Sequence, residues 1–299
     1  MNSQNRKNLI TLLKNRCETV EDPAGRQVHI LKDGVAFEIA SECDVSIHEV
    51  YKGALREGIY PYRYIRNRDA ISSKEQLMLA ESHVGGVGSG GLGGQVILLL
   101  ARIGVGHLTV IDRDVFDETN LNRQALSSRD SLGNYKSEEA VRVVESVNPG
   151  VRITSFKTAL DATNAEDMLD GADVIVDALD NVSDRFTLEK AARNLRVPFV
   201  HGALAGFEGQ LMTIFPEDRG LTLLYGSKGS NSDRRKRPEA ILGVPTFTPA
   251  FIATLQAMEV VKILLKRSHL FRNAMVHVDL ENGEINKFTF EQSEGSAKI

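Results

Sequence analysis

From Leu77 onward, short apolar segments alternate with longer segments in which apolar residues recur at helical spacing. Apolar runs of about four to eight residues between turn signals are typical of buried strands. We predict strands at SHVGGV, HLTVID, RITSFK and DVIVDAL, with helices between or after them over 95–103, 137–147, 165–169 and 184–195. This alternation predicts right-handed crossovers and a largely parallel sheet.

The pattern after residue 198 predicts further strands and one long helix. FVHGAL and GQLMTIF are strand-like, and AMVHVDLENGEINKFTF predicts a hairpin that turns at 281–283. TPAFIATLQAMEVVKILL predicts an amphipathic helix opened by Thr248 and Pro249. The polar stretch 216–245 predicts a long loop, and a long loop inside a compact domain is usually functional or disordered.

Residues 1–60 have a different pattern and predict a small α+β appendage, which leaves 61–299 as the main domain. HILKDGVAFEIA contains strand-like pieces around the Lys-Asp-Gly of 32–34, which predicts a hairpin. VSIHEVYKGALREGI places its apolar residues at helical spacing. That helix either packs within the protein or docks a partner, and packing is the commoner use of a short amphipathic helix.

Composition narrows the class of protein without identifying it. The chain has 299 residues, which is enough for one large α/β domain with a small appendage. A formal net charge of -4 counts against a surface that binds nucleic acid. The N-terminus is polar, and Arg102 interrupts the apolar run that begins at Val96. We therefore expect no signal peptide, no membrane contact and a cytoplasmic location.

A glycine-rich turn formed by Gly88, Gly90, Gly91 and Gly93 lies between a predicted strand and a predicted helix. Glycine allows a tight turn whose backbone N–H groups approach phosphate closely, and the helix N-terminus favours anions. Asp112 ends the next strand about 20 residues on, where a carboxylate can hydrogen-bond a ribose hydroxyl. This order predicts a nucleotide site, although the fingerprint alone is compatible with NAD as well as ATP.

The residues that follow Asp112 favour ATP over NAD. Asn120, Arg123 and Gln124 come soon after the strand, and Lys136 begins the next predicted helix. Adenylation builds negative charge on the α-phosphoryl group and on pyrophosphate, which fixed cations stabilise. A dehydrogenase has no evident use for these cations, whereas Lys136 taken alone could equally be a solvated lysine at a helix start.

Asp180 closes the strand DVIVDALD, and ligands of such sheets bind at the carboxyl ends of strands. A carboxylate there can hold Mg²⁺ together with substrate phosphates, so we predict Asp180 as the metal ligand. Asp114 and Asp177 are alternatives, and a helix cap is the structural alternative for Asp180. His201 is close in sequence to this region, and we interpret it as a satisfied core histidine.

In combination these motifs resemble the MoeB/ThiF/HesA group of adenylating enzymes, the bacterial relatives of ubiquitin-activating enzymes. The resemblance covers about residues 61–290 and includes, in the family's order, the glycine turn, IDRDVFDETNLNRQ, GNYKSE, ALDN, EGQLMTIF and LQAMEVVKILL. RYIRN, at 63–67, resembles the segment that precedes the nucleotide domain in that group.

The resemblance implies a Rossmann-like, ATP-binding α/β domain over 61–299 whose mixed sheet is extended by antiparallel strands, usually as a homodimer. Asp112 matches the ribose-binding acid, and Asp180 matches the acid associated with Mg²⁺. Arg66 matches an arginine that reaches the ATP site of the opposite subunit. The polar and basic residues around the triphosphate match Asn120, Arg123, Gln124 and Lys136.

The implied reaction joins the C-terminal carboxylate of a ubiquitin-like sulfur-carrier protein, or of a peptide, to AMP and releases pyrophosphate. Such a carboxylate has a pKa of about 3.5 and needs no general base. Catalysis then rests on positioning and charge, supplied by Arg66, Arg123, Lys136 and Asp180. A tRNA-modifying dehydratase of the same superfamily, an NAD-dependent oxidoreductase and a nucleotide-binding pseudoenzyme are the alternatives.

The chain departs from the family in its cysteines. Cys17 and Cys43 both lie in the appendage and form no C-x-x-C pair, so we predict no zinc. The loop 216–245 contains no cysteine to accept an acyl group or sulfur, so we expect the adenylate itself to be the product. The basic run 234–237 in that loop is either a solvated charge run or a docking patch for an acidic carrier.

Overall fold

The computed structural model describes residues 3–226 and 238–290, so the basic run 234–237 lies outside the described residues. The strands are β1 Glu18–Glu21, β2 Gln27–Leu31, β3 Tyr60–Pro61, β4 His83–Val87, β5 His107–Ile111, β6 Arg152–Phe156, β7 Val174–Asp177, β8 Phe199–Ala205, β9 Glu208–Ile214, β10 Ala274–Asp279 and β11 Glu284–Thr289. The α-helices are α1 Ser3–Arg16, α2 Asp33–Cys43, α3 Ile47–Arg56, α4 Ser73–Glu81, α5 Gly91–Ile103, α6 Lys136–Val147, α7 Ala165–Leu169, α8 Val182–Leu195, α9 Thr222–Tyr225, α10 Pro238–Leu242 and α11 Phe247–Leu264.

Strands β4 to β11 form one mixed sheet in the order β11-β10-β9-β8-β7-β4-β5-β6. The five strands from β6 to β8 in this order pair in parallel, and β9, β10 and β11 each pair antiparallel to their neighbour. The predicted α/β fold with antiparallel extension is confirmed. The parallel strands end together on one side of the sheet, called here its carboxyl end, and begin together at its amino end.

Helices cover both faces of this sheet. Helices α5, α6 and α11 share a hydrophobic cluster on one face, to which Val96, Val144 and Ile252 belong. Helices α7 and α8 pack on the other face through Leu169 and Leu188. The parallel connections direct the first turns of α5 and α8 toward the carboxyl end of the sheet, where helix N-termini favour bound anions.

Helix α11 is apolar because it is a core helix. It has 18 residues with a mean hydropathy of 1.3, and by length and composition alone it could cross a membrane. In the structure 56% of it is buried, and it packs against α5 and against strands β7 to β9. The predicted helix is confirmed, with its start at Phe247, one residue before Thr248.

The predicted hairpin around residues 32–34 is wrong, because β2 ends at Leu31 and α2 begins at Asp33. The helical repeat of apolar positions outweighs the turn-like Lys-Asp-Gly sequence in this segment. Helix α2 buries four side chains at helical spacing, those of Ala36, Ile39, Ala40 and Cys43.

The N-terminal hairpin that does form joins β1 to β2. The Asp22 carboxylate closes its turn by accepting the backbone N–H groups of Ala24 and Arg26, each at 2.9 Å. Strand β3 then pairs in parallel with β2 and completes a three-stranded sheet. The expected mixture of helix and strand in this segment is therefore present, although its turn lies about ten residues earlier than predicted.

The N-terminal segment contacts the main domain through buried polar groups. His48 Nδ1 donates to the carbonyl of Gly150 at 3.0 Å, and just after the boundary, within the main domain, Tyr64 Oη accepts Asn148 Nδ2 at 2.8 Å. His48 lies on α3, the helix that was predicted either to pack or to dock a partner. Its buried side packs within the chain. The division of the chain at residue 60 stays a prediction.

The loop predicted over 216–245 contains two short helices in its described parts, α9 and α10. Tyr225, at the end of α9, is turned into the protein, and Ile241 and Leu242 of α10 are exposed. The described parts of this loop therefore flank the carboxyl end of the sheet.

Candidate nucleotide site

A cavity of about 650 Å³ opens at the carboxyl end of the sheet. It lies beyond strands β4, β5, β7 and β8 and beside the first turn of α5. The predicted site residues that line it are Gly88, Gly90, Gly91, Asp112, Asn120, Arg123, Gln124, Lys136 and Asp180. The structure thus brings together in one cavity side chains that are up to about 90 residues apart in the chain.

The glycine turn joins β4 to α5 in a conformation that requires glycine. Gly88 has a φ of +90° and donates its N–H to the carbonyl of Ile111 at 2.9 Å. Gly90 and Gly91 line the cavity, and Gly93 does not. A Cβ at Gly93 would lie 1.8 Å from the Gly88 carbonyl oxygen, so the role of Gly93 is to let helix and turn approach closely.

Asp112 is tied to the glycine turn by two hydrogen bonds. Its Oδ2 accepts the Ser89 backbone N–H at 2.7 Å and the Ser89 hydroxyl at 2.9 Å, and its Oδ1 accepts the N–H of Asp114 at 2.8 Å. A carboxylate has about four acceptor positions, so one remains for a ribose hydroxyl. The glycine turn and Asp112, which are the predicted sites for phosphate and ribose, therefore form one continuous unit.

Two cations line the same cavity. Arg123 Nη1 donates to the carbonyl of Thr119 at 2.7 Å and to Asn122 Oδ1 at 2.9 Å, which are both uncharged acceptors. Lys136 is 7% exposed, and its Nζ lies 3.6 Å from Asp114 Oδ2, beyond a strong hydrogen bond. Within the described ranges, neither cation has a close hydrogen-bonded carboxylate. Their charge is available to a triphosphate.

The amide groups of this site are buried. Asn120 Oδ1 accepts the backbone N–H of Asp117 at 3.0 Å and fixes the loop that carries Arg123. Gln124 is 6% exposed, its side chain lies next to Gly90, and no described residue hydrogen-bonds its Oε1. A buried amide oxygen without a partner is costly, and a ligand hydroxyl or amino group would satisfy it.

Asp180 lies where β7 gives way to α8 and lines the cavity at its far side from Asp112. Asn181, not Asp180, caps α8, because its Oδ1 accepts the N–H of Asp184 at 2.9 Å. The capping alternative for Asp180 is therefore wrong. Asp177 is fully buried, and it accepts the N–H of Leu179 at 2.9 Å. It is thus already engaged within the protein.

A second cavity of about 310 Å³ adjoins the first. Six residues line both cavities, and they form the boundary between them: Asp180, Asn181, Arg185, Ala203, Leu204 and Glu239. The second cavity otherwise combines apolar groups from β8 and α10 with polar groups from β9. It provides room for a second substrate next to the nucleotide cavity.

A buried polar chain runs beneath this boundary. His201 is fully buried, with Nδ1 at 2.6 Å from Asp177 Oδ2 and Nε2 at 3.1 Å from Tyr225 Oη. Burial lowers the pKa of His201 despite the nearby carboxylate, so we assign a neutral ring that donates to Asp177 and accepts from Tyr225. The interpretation of His201 as a satisfied core histidine is confirmed.

Tyr225 extends this chain to Arg185. Its oxygen accepts Arg185 Nη1 and Gln210 Nε2, each at 2.8 Å, and Arg185 Nη2 donates to the carbonyl of Leu179 at 2.6 Å. The sequence interpretation missed both Arg185 and Tyr225. One signal was present for Arg185: it lies in the first turn of α8, where the helix dipole disfavours a cation.

Arg66 lies outside the cavity of its own chain. It is exposed on a short 3₁₀ helix, Tyr62–Asn67, and it does not line either cavity. An arginine that acts on the site of a second copy would have this placement. That role stays a prediction.

Fold and site together define an α/β protein of the nucleotide-binding type, with two cations in the cavity beside its glycine turn and a second cavity next to it. The ThiF family model matches residues 64–297, and the chain belongs to the ThiF family. Several relatives are named adenylyltransferases.

Named relatives agree with this assignment. The SAMP-activating enzyme E1 of Haloferax volcanii is 34% identical over 222 residues, covering 73% of this chain and 80% of its own length. The sulfur carrier protein ThiS adenylyltransferase of Escherichia coli is 30% identical over 197 residues, covering 66% of this chain and 77% of its own length. The chain spans about half (51%) of the adenylyltransferase and sulfurtransferase MOCS3 of Arabidopsis thaliana, at 32% identity.

Solved structures support the fold. A crystal structure of E. coli MccB with MccA-N7isoASN superimposes with a TM-score of 0.66 at 23% identity, covering 78% of this chain and 73% of that chain. The crystal structure of PaaA gives a TM-score of 0.63 at 21% identity, covering 77% of this chain and 82% of that chain. At these identities the likeness is one of fold alone.

Proposed function

We propose that the protein is an adenylyltransferase that activates the C-terminal carboxylate of a small carrier protein or peptide with ATP. The observation that carries this proposal is the pair of adjoining cavities. One has a glycine turn, a ribose-binding acid and two cations without hydrogen-bonded carboxylates, and the other is open beside it. An NAD site has no need of Arg123 and Lys136, which makes the oxidoreductase alternative less suitable.

The chemistry needs no proton transfer. One oxygen of the acceptor carboxylate bonds to the α-phosphorus of ATP, the bond from that phosphorus to the bridging oxygen breaks, and pyrophosphate leaves with the electron pair. The carboxylate is already ionised at neutral pH. Arg123 and Lys136 stabilise charge on the phosphates, and the N-terminus of α5 contributes its backbone N–H groups.

We infer that Asp180 holds Mg²⁺ in this reaction. The described residues contain no cluster of three His, Cys, Asp or Glu side chains that could hold a metal by itself. Mg²⁺ is commonly held by one or two carboxylates together with substrate phosphates, so a single carboxylate at the cavity wall fits. When bound, the ion would neutralise charge on the phosphate oxygens.

The acceptor that we propose is a ubiquitin-like sulfur carrier or a peptide. The names of two relatives specify a sulfur carrier and a SAMP as the molecules that those enzymes activate. No cysteine is present in the described parts of the loop that borders the second cavity. The proposal is therefore that the acyl-adenylate is handed on directly.

We also propose a cytoplasmic homodimer in which Arg66 of one copy serves the site of the other. The exposed apolar side chains Val115, Leu132 and Tyr135, next to the nucleotide cavity, support a contact with a second copy. Mixing Arg66→Ala with Lys136→Ala protein should restore part of the activity. No recovery, with heterodimers present, would contradict action across the dimer.

The test of the reaction is nucleotide specificity followed by isotope exchange. ATP with Mg²⁺ and NAD are titrated separately, and pyrophosphate–ATP exchange is then measured with Gly-Gly-ending carrier proteins. We expect ATP binding, and exchange that depends on the carrier. Binding of NAD without ATP, or ATP binding without exchange for any carrier or peptide, would refute adenylation.

A further inference from the structure

Arg185 is the cation at the boundary between the two cavities. Of the six residues that line both cavities, it is the one with a positive charge, and it is only 8% exposed. No motif in the sequence assigns a role to Arg185, and the nucleotide chemistry described above does not use it. Its position is next to Asp180 and Asn181, where the two reactants have to meet.

Among the described residues, no anion accepts a hydrogen bond from Arg185, although Asp177 is within ion-pair distance. Its Nη1 and Nη2 donate to a hydroxyl and a carbonyl, which are neutral acceptors. The carboxylate of Asp177 lies 3.8 Å from Nε and is already engaged by His201 and by the Leu179 N–H. In the part of the chain that the structure describes, Nε itself has no hydrogen-bond partner. A buried guanidinium with only this long ion pair to Asp177 is stabilised further by an anion that arrives with a ligand and accepts its hydrogen bonds.

The fold accounts for this arginine only in part, through a long ion pair of 3.8 Å with the buried carboxylate of Asp177. It lies in the first turn of α8, where the helix dipole is unfavourable for a cation. Its side chain is nevertheless held firmly, because Tyr225, His201 and Asp177 form a buried chain of hydrogen bonds behind it. The fold therefore holds a positive charge in a fixed position at the boundary between the cavities, at a cost in local stability. Such an arrangement is typical of a functional site.

We propose that Arg185 binds the α-carboxylate of the acceptor and orients it toward the nucleotide cavity. This proposal rests on the adenylation reaction proposed above and assigns the residue that recognises its second substrate. The carboxylate loses its negative charge as its oxygen bonds to the α-phosphorus, and Arg185 exchanges no proton. The ion pair is therefore strongest in the bound substrate and weakens along the reaction. Its loss should raise the acceptor KM far more than it lowers kcat.

The first experiment compares Arg185→Gln and Arg185→Lys with Arg193→Gln. Arg193 lies on the same helix and bonds Glu189 and the Pro216 carbonyl, away from both cavities. The acceptor is the carrier or peptide that supports exchange with the wild-type protein. We expect Arg185→Gln to raise the acceptor KM by at least about tenfold and to leave the ATP dissociation constant nearly unchanged. Arg185→Lys should have a smaller effect on the acceptor KM. Arg193→Gln should leave both constants unchanged.

The second experiment removes the charge from the substrate. The same acceptor with a C-terminal amide is measured as a competitive inhibitor. The wild-type protein should bind the acid at least about tenfold better than the amide, and Arg185→Gln should bind the two about equally. A merely structural arginine would leave this preference intact. The Tyr225→Phe variant, which loses the hydroxyl behind Arg185, should weaken the preference by about threefold.

These measurements separate failure of the inference from failure of the reaction. No exchange with the wild-type protein for any acceptor refutes both. Exchange with the wild type, combined with an unchanged acid-over-amide preference in folded Arg185→Gln or Arg185→Lys, refutes the role of Arg185 alone. A selective rise in the ATP constant would also refute it, because Arg185 would then serve the nucleotide.

Discussion

The two ends of the parallel strands differ in how completely their buried polar side chains are hydrogen-bonded. At the amino end, His83 and His107 stack with ring centroids 3.9 Å apart, and each ring shares a hydrogen bond with a threonine hydroxyl on the next strand. At the carboxyl end, two buried polar atoms, Gln124 Oε1 and Arg185 Nε, have no hydrogen-bond partner among the described residues. The two histidines at the amino end are satisfied within the protein, whereas these two atoms at the carboxyl end can still bind a ligand.

This difference indicates which end of the sheet can bind a ligand. A buried polar group that is hydrogen-bonded to its neighbours contributes to the stability of the fold. An unsatisfied buried group lowers that stability, and it forms its missing hydrogen bond when a ligand binds. Substitutions at the carboxyl end should therefore change activity with modest effects on unfolding. Substitutions at the amino end should change unfolding and leave activity nearly unchanged.

The largest expected effect on activity is that of Asp180, which follows β7 at its carboxyl end. Asp173, which precedes β7 at its amino end, is the matched control. Asp180→Asn, at the carboxyl end, should reduce pyrophosphate–ATP exchange by about 100-fold or more at saturating substrate, because the charge that we propose to hold Mg²⁺ is lost. Asp173→Asn, at the amino end, removes the charge of the group that accepts the His83 backbone N–H and should retain activity within about twofold. Exchange rates over a Mg²⁺ titration give the comparison. Equal losses in the two variants would contradict it.

The next effect concerns nucleotide affinity. Lys136→Ala should weaken ATP binding by about tenfold or more, since a buried ammonium next to the phosphates is removed. Arg102→Ala, an exposed cation at the opposite end of α5, serves as the control and should leave affinity unchanged. Isothermal titration with ATP and Mg²⁺ measures both. If the Lys136→Ala affinity equals the wild-type value, Lys136 is a structural lysine.

The smallest effect should be a pH dependence of stability from the amino end. Burial, together with His83, Arg152 and His48 nearby, lowers the pKa of His107 to about 4 in the folded protein. The unfolded chain binds this proton near pH 6.5, so the stabilisation is complete above pH 6.5 and is lost as pH falls toward 4.

Thermal unfolding between pH 7.5 and 5 measures the contribution of His107 to the pH dependence of stability. The melting temperature should fall by a few degrees, about 2–4 °C, and His107→Gln should reduce the fall. Glu75 of the folded protein titrates below this window. Its pKa is lowered to about 2 by hydrogen bonds from the Ser72 backbone and by Arg267. A fall that is the same size in His107→Gln would assign the effect to other groups.

The sequence predicted those parts of the molecule that depend on local pattern. The strands and helices of the main domain follow from periodicity, and the residues after each strand, such as Asp112 and Asp180, follow from where parallel strands end. Gly88 was predictable because only glycine tolerates its turn. The N-terminal hairpin was misplaced because the turn-like sequence at 32–34 competed with a helical repeat.

The buried chain behind Arg185 could not be predicted in this way. Its members, Asp177, Arg185, His201 and Tyr225, come from two strands and two helices, and no fixed spacing links them. Only tertiary packing brings them into contact. The helix dipole gave a reason to question Arg185, but no local pattern could name its partners.

The hydrogen bonds from Ser89 to Asp112 have a thermodynamic consequence for the order of events. The turn and the acid are joined before any nucleotide arrives, so little conformational entropy is lost when ATP binds there. A rigid half-site of this kind favours ATP as the first reactant to bind. The acceptor would then meet a phosphate already held in place, and its arrival would set the pace of adenylate formation.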